Sequence, residues 1–405
     1  MTVERIPLNR SSLQGNELSY VQEAVSTGHS ASKGPFSDRV VDLLRTELAA
    51  TDILLTTSCT SALELSAMLL NVQPGSNVIV PSYTFVTTAS AFARSGAELR
   101  FADIDPVTLC IDPDSVSALI DSSTRAVVPV HYAGRAADID RLAPLVEAHG
   151  NATLIEDNAH GLFGSHGGSP LGSFGRFSTL SFHETKNFSC GEGGALVINE
   201  KRDVARAHTL YDKGTNRAAF LDGRVDRYTW IEQGSSFGMS DLLAAFLLGQ
   251  IEQRTGVMGR RQKLFTRYHK QLSPLEAGLG IEVPPISGMH RSAYHMFYVL
   301  VSGEGRRDAV LRELNESGIG ATFHYQPLHR SEGSRPWVKR NFDCPISDSV
   351  SSRIIRLPFF NTLTDSECDR VVEALTRALS HTACLGLATI EIETHRSFLE
   401  FDGSG

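Results

Sequence analysis

The chain has 405 residues, 41% of them hydrophobic, and a formal net charge of −8 at pH 7. That length and apolar fraction suit a globular protein with one large core and a smaller second one. The acidic balance argues against a nucleic-acid surface, the N-terminus lacks an apolar signal core, and no run approaches the ~20 apolar residues of a membrane span.

Strand-like runs are predicted over Ile53–Thr56, Asn77–Val80, Leu99–Asp103, Arg125–Val130, Thr153–Glu156, Thr179–Phe182 and Ala195–Asn199. They alternate with helical or loop stretches, which predicts an α/β chain with a doubly wound, mostly parallel sheet covered on both faces. A long helical pattern starts at Met239 (Leu242, Leu243, Ala245, Phe246, Leu248, Ile251) and runs toward Leu272. It leads into a smaller α/β domain, with strands over Met296–Val301 and Ala321–Tyr325 and helices over Arg307–Ser317 and Ser366–Leu379. The expected division is a large domain over 1–250 and a smaller one over 251–405 with a C-terminal extension. Past Ser380 an extension expected to be solvated contains Ile390-Glu391-Ile392-Glu393, whose alternation is that of an edge strand. Six cysteines (Cys59, Cys110, Cys190, Cys344, Cys368, Cys384) form no Cys-x-x-Cys pair, and the histidines lack metal spacing. Reduced thiols in a cytoplasmic protein, and no metal site, are expected.

Four local patterns carry chemistry. Thr56-Thr57-Ser58-Cys59-Thr60-Ser61 sits between an apolar strand and the helix former Ala62–Leu70. It reads as a phosphate cradle at a helix N-terminus, or as a plain capping box of Ser61 with Glu64. Phe85 follows the second strand and is either an aromatic lid over a flat ring or a core residue of the next helix. Asp157 ends a buried strand, where α/β sheets bind ligands; it either pairs with a cofactor nitrogen or caps the next turn. Lys186, in Ser181-Phe182-His183-Glu184-Thr185-Lys186-Asn187, follows a strand and precedes Gly191-Glu192-Gly193-Gly194. An amine placed there can condense with an aldehyde, and pyridoxal phosphate is the common aldehyde cofactor that uses lysine.

Together with Pro129-Val130-His131-Tyr132-Ala133-Gly134 and Glu156-Asp157-Asn158-Ala159-His160, these segments resemble the sugar aminotransferases of the DegT/DnrJ/EryC1/StrS family over roughly residues 5 to 380. Lys213-Gly214-Thr215-Asn216-Arg217, Tyr228-Thr229-Trp230, Gly234-Ser235-Ser236, Met239-Ser240-Asp241 and Phe323-His324-Tyr325-Gln326-Pro327-Leu328-His329 are similar to the subgroup acting at C4 of dTDP-4-keto-6-deoxyglucose. The resemblance implies a fold-type I pyridoxal 5′-phosphate enzyme. Lys186 would carry the cofactor and move the proton, Asp157 would pair with the pyridinium, and Phe85 would stack on the ring. Ser181, Ser58 and the Cys59 and Thr60 backbone would bind the phosphate. His160 stands where the family usually has glutamine against the ring hydroxyl, and its charge is expected to vary with pH. Near the position of Ser236 many members carry an asparagine that reaches the phosphate of the neighbouring subunit, and Ser236 is shorter.

The implied reaction transfers an amino group from L-glutamate to the 4-keto sugar in a homodimer with active sites at the interface. Substrate candidates are His131, Tyr132, His183, His324, Tyr325 and His329, with Lys213 and Arg217 for the nucleotide diphosphate. The alternatives are a C3 keto-sugar or cyclitol aminotransferase and a non-catalytic cofactor-binding sensor. A related sugar dehydratase would carry histidine in place of Lys186.

Overall fold

The structure is a computed structural model that describes residues 4–286 and 290–399, with the backbone alone for 290 and 383–399. Strands β1 (Asp52–Thr56), β2 (Asn77–Pro81), β3 (Glu98–Ala102), β4 (Thr124–Val127) and β5 (Thr153–Asp157) come first. A short pair, β6 (Ser165–His166) and β7 (Ser169–Pro170), precedes β8 (Phe177–Ser181) and β9 (Gly194–Ile198). Seven of these form one sheet in the order β1-β9-β8-β5-β4-β2-β3. Only β9 runs antiparallel, between β1 and β8; the other pairings are parallel.

Each predicted run of the first seven thus falls on a strand of this sheet. The strands are buried on both faces: every residue of β2 and β9 is buried, as expected of a helix-covered sheet. Successive side chains alternate between faces. Leu196 packs with Leu63, Phe92 and Leu210 on one side, and Val197 with Val40, Leu44 and Leu248 on the other.

Helices Asp241–Glu252 and Arg254–Leu272 lead to the second core. There β10 (Ile281–Glu282) precedes β11 (His290–Arg291), β12 (Phe297–Val301) and β13 (Ile354–Leu357). β11 pairs with β6, whereas β10, β12 and β13 form an antiparallel sheet. Tyr268, Phe297, Val371 and Leu375 fill this core together with Ile6 from the N-terminal segment, which bridges to Ile319.

Three local expectations are corrected. Ala321–Tyr325 is not a strand: it meets the sheet only at the Thr322–Arg356 bridge, and β12 already pairs along β13. The helix after β1 starts at Cys59, with the Ser58 side chain accepting from the Ser61 amide as its cap. No capping box forms, and Glu64 instead pairs with Arg94 at 3.5 Å. The run 390–393 lies within the helix Asp365–Leu399, not on an edge strand. No helix among the described residues is long and apolar enough to cross a membrane, and the five cysteines described are unpaired.

Candidate active site

A cleft of about 550 Å³ opens beyond the carboxyl ends of β5 and β8. The strand order explains its position. β5 and β8 are parallel neighbours with Asp157 opposite Thr179, so Asp157 and the loop after Ser181 emerge at one edge. β9 enters antiparallel, which puts its first residue, Gly194, opposite both Thr56 and Ser181. The turn Ser58–Thr60 is thereby seated at the same edge. A side chain at Gly194 would put its Cβ 2.3 Å from the Ser58 carbonyl carbon, so only glycine lets the turn and the strand touch.

Ser58, Cys59 and Thr60 line the cleft, as do Ser181, Gly193 and Lys186. The first helical N–H groups face an opening with no intrahelical acceptor, and the helix dipole adds positive charge. Phe85 also lines the cleft and is 54% exposed. It is not in the core of the following helix, Thr87–Ala93. Its ring lies 6.2 Å from that of Tyr325, which also lines the cleft.

Asp157 is 4% exposed. Its oxygens accept from the Thr88 hydroxyl at 2.8 Å and the Ala159 amide at 3.2 Å. Burial raises its carboxyl above the ordinary value, against those two hydrogen bonds and the charge of Lys186. Burial lowers the Lys186 amine to about 8, against an opposing pull from Cys59 and Asp157. At pH 7 roughly one amine in ten is then neutral, against about one in 3,000 for an ordinary lysine. Uptake of an aldehyde by the cofactor-free protein is therefore expected to rise with pH through a midpoint near 8. Absorbance-monitored reconstitution across pH 6 to 10 measures it, and a midpoint near 10.5 would show an unperturbed amine.

His160 stacks on His295 with ring centres 4.2 Å apart and 16° between planes. Its Nδ1 is buried and has no hydrogen-bond partner. Burial, followed by the charge of Lys186, pushes its pKa well below the ordinary imidazole value. The ring therefore stays neutral at physiological pH, and the expected pH-dependent charge does not arise.

His183, His324 and Tyr325 also line the cleft. Other sequence candidates lie outside its lining. His131 is fully buried, with Nε2 2.8 Å from Glu156 and Nδ1 accepting from the Ala137 amide. It braces the strand below the site, and Glu156 also accepts from the amides of Gly172, Phe174 and Gly175. His329 bonds the Ser82 hydroxyl at 2.6 Å. Tyr132 is buried behind His324. Lys213 and Arg217 flank Asp212 at 2.8 and 3.7 Å, and the exposed Ser236 bridges to the same residue. Sequence reasoning missed His295, Arg356 and Thr88. Each is distant in the chain from the motif it serves, and no local pattern marks it.

Residues 11–376 match the model of the DegT/DnrJ/EryC1/StrS aminotransferase family. The chain belongs to this family. Aminotransferase TlmJ from Streptoalloteichus hindustanus is 27% identical, with a TM-score of 0.86 over 93% of this chain and 99% of that one. The putative sugar aminotransferase Spr1654 from Streptococcus pneumoniae, in its PMP form, is 25% identical with a TM-score of 0.86 over 94% and 99%. A DegT DnrJ EryC1 StrS aminotransferase from Brucella abortus is 25% identical, with a TM-score of 0.81 over 89% and 94%.

A DegT/DnrJ/EryC1/StrS aminotransferase depends on pyridoxal 5′-phosphate, and this chain is such an enzyme. The residues present fit the cofactor. A partly neutral amine, a buried carboxylate, a partnerless imidazole nitrogen and an open helix N-terminus face one cleft. Lys186, Asp157, His160 and the Ser58–Thr60 turn with Ser181 are the groups that would hold it, with Phe85 against its ring.

Proposed function

We propose that the chain transfers an amino group from L-glutamate to C4 of dTDP-4-keto-6-deoxyglucose, giving a dTDP-4-amino-4,6-dideoxyhexose and 2-oxoglutarate. The observation that carries the reaction type is the meeting of Lys186 and Asp157 in one cleft. The 4-keto sugar is inferred from the segments around Lys213, Tyr228 and His324 described above. The likeness to Spr1654, a putative sugar aminotransferase, supports a sugar acceptor.

Bound pyridoxal phosphate supplies an electron sink for the pair left when a C–H proton is removed. Asp157, once opposite a cationic ring nitrogen, is held ionised by that charge against its own desolvation. Lys186 Nζ takes the proton from the donor carbon and returns it, as a base whose pKa is near the working pH. Phe85 and Tyr325, neighbouring rings of the cleft lining, are assigned to shield the reacting atoms from water.

Glutamate needs a cation for its carboxylate. Arg356 lines the cleft, its Nε is buried without a partner, and no ion pair joins its guanidinium among the described residues. We assign it to the donor carboxylate, a bidentate match. Arg356→Gln is expected to raise the KM for glutamate roughly thirtyfold or more, the ~2 kcal/mol lower bound for removing one partner of a buried charge pair. Steady-state kinetics with varied glutamate tests this, and a KM within about threefold of the parent rejects the assignment.

Lys213, Arg217 and Ser236 lie outside this cleft, on a segment that also exposes Trp230 (74%) and Leu221 (66%). In a cytoplasmic homodimer Lys213 and Arg217 are proposed to reach the nucleotide diphosphate, and Ser236 the cofactor phosphate, bound at the other subunit. The reaction is tested by incubating the protein with dTDP-4-keto-6-deoxyglucose and glutamate and reading the product by NMR. A nitrogen-bearing C4 is expected, its axial or equatorial position giving the galacto or gluco product. No amine at C4 overturns the sugar assignment.

A further inference from the structure

The Tyr132 hydroxyl lies 2.6 Å from His324 Nδ1. Tyr132 is 1% and His324 8% exposed, so water does not compete for this bond. A phenol is a good donor and a poor acceptor, whereas a neutral imidazole nitrogen is a strong acceptor. The hydroxyl therefore donates to Nδ1, and the imidazole proton sits on Nε2. The Tyr83 hydroxyl packs beside this bond, 3.3 Å from that of Tyr132, and donates to the His324 carbonyl at 3.5 Å.

The ring plane is held as well. His324 stacks on Tyr325 at 3.6 Å between centres with 28° between planes, and the Tyr132 ring lies at 5.5 Å. His324 lines the cleft and Tyr132 does not. Nε2 has no hydrogen-bond partner among the described residues, and it is not among the sealed-off polar atoms. Burial, then Arg356 and Lys186, keeps the imidazole neutral by lowering its pKa well below the ordinary value.

We propose that Tyr132 is a positioning residue that holds His324 in its Nε2–H form, giving the cleft a fixed neutral donor for an oxygen of the amino acceptor. The oxygen is a keto or hydroxyl oxygen of the sugar, so the proposal rests on the keto-sugar reading above. A neutral donor suits such an oxygen, because a cation would draw the donor carboxylate away from Arg356.

The test separates the two half-reactions on the holoenzyme by stopped-flow absorbance, and reads the His324 tautomer by imidazole 15N NMR. In Tyr132→Phe the acceptor half-reaction is expected to fall roughly tenfold more than the glutamate half-reaction, about the net worth of one hydrogen bond. The loss is expected mainly in the KM for the sugar. In the parent protein the nitrogen shifts are expected to place the proton on Nε2, and in Tyr132→Phe to show mixed tautomers. His324→Gln keeps a donor at the same reach, so adding Tyr132→Phe to it is expected to cost nothing further. Equal losses in both half-reactions, or a parent protein with its proton on Nδ1, overturn the proposal. If no half-reaction runs with the keto sugar in the parent, the sugar reading fails on its own, and the NMR result still decides the tautomer.

Discussion

Lys186→Ala is expected to lower kcat/KM by roughly 10⁴-fold or more while leaving the fold intact. One positioned acid–base group supplies about 10²–10⁴-fold, and in the proposed role this amine also forms the covalent link to the cofactor. The fold is expected to survive because the amine is held in a desolvated place that already disfavours its charge. Circular dichroism checks the fold. The visible absorption of the lysine-bound cofactor is expected to disappear, leaving that of the free aldehyde. A small primary amine in the buffer is expected to restore part of the proton transfer. If the variant keeps the parent's absorption and turnover, Lys186 is not the base.

Asp157→Asn is expected to cost about 30-fold to several-thousand-fold in kcat/KM, with shape and volume kept. That range is the 2–5 kcal/mol for neutralising one partner of a buried, hydrogen-bonded charge pair. The charge and one acceptor change: Ala159 and Thr88 bond different oxygens of Asp157, so the asparagine oxygen keeps the Ala159 amide while its NH2 donates to the Thr88 hydroxyl, which can turn its proton to Thr84. The cofactor is expected to bind and to join Lys186, since the loss falls on the electron sink and not on the link. Loss confined to turnover, with the lysine-bound absorption preserved, is the distinguishing outcome. Activity within about threefold of the parent would remove Asp157 from the reaction.

The two residues become legible in the same way. Lys186 and Asp157 stand at strand ends in short motifs, and strand ends are where an α/β sheet exposes side chains to ligand. The hydroxyl-rich turn was legible for the same reason, though its cap proved to be Ser58 and not Ser61. Phe85 was ambiguous because an aromatic after a strand can turn inward or outward, and only packing chooses. His131 and Tyr132 sit in a motif that reads as functional. Their side chains meet Glu156 and His324, partners 25 and 192 residues away. His329 likewise belongs to Ser82, 247 residues distant.

By itself the sequence determined the alternating α/β order, the seven strands of the main sheet and the family, and it singled out a lysine and an aspartate that the fold brings to one cleft. These follow from local patterns: apolar runs, glycine turns and residue spacing. Tertiary structure decided what faces the cleft and in which state. The antiparallel entry of β9 sets Gly194 against the Ser58 turn, burial brings the Lys186 amine to about 8, and β13 delivers Arg356, whose Nε has no partner among the described residues. The physical reason is that desolvation and hydrogen-bond partnership depend on every element packed around a group, and those elements come from all along the chain.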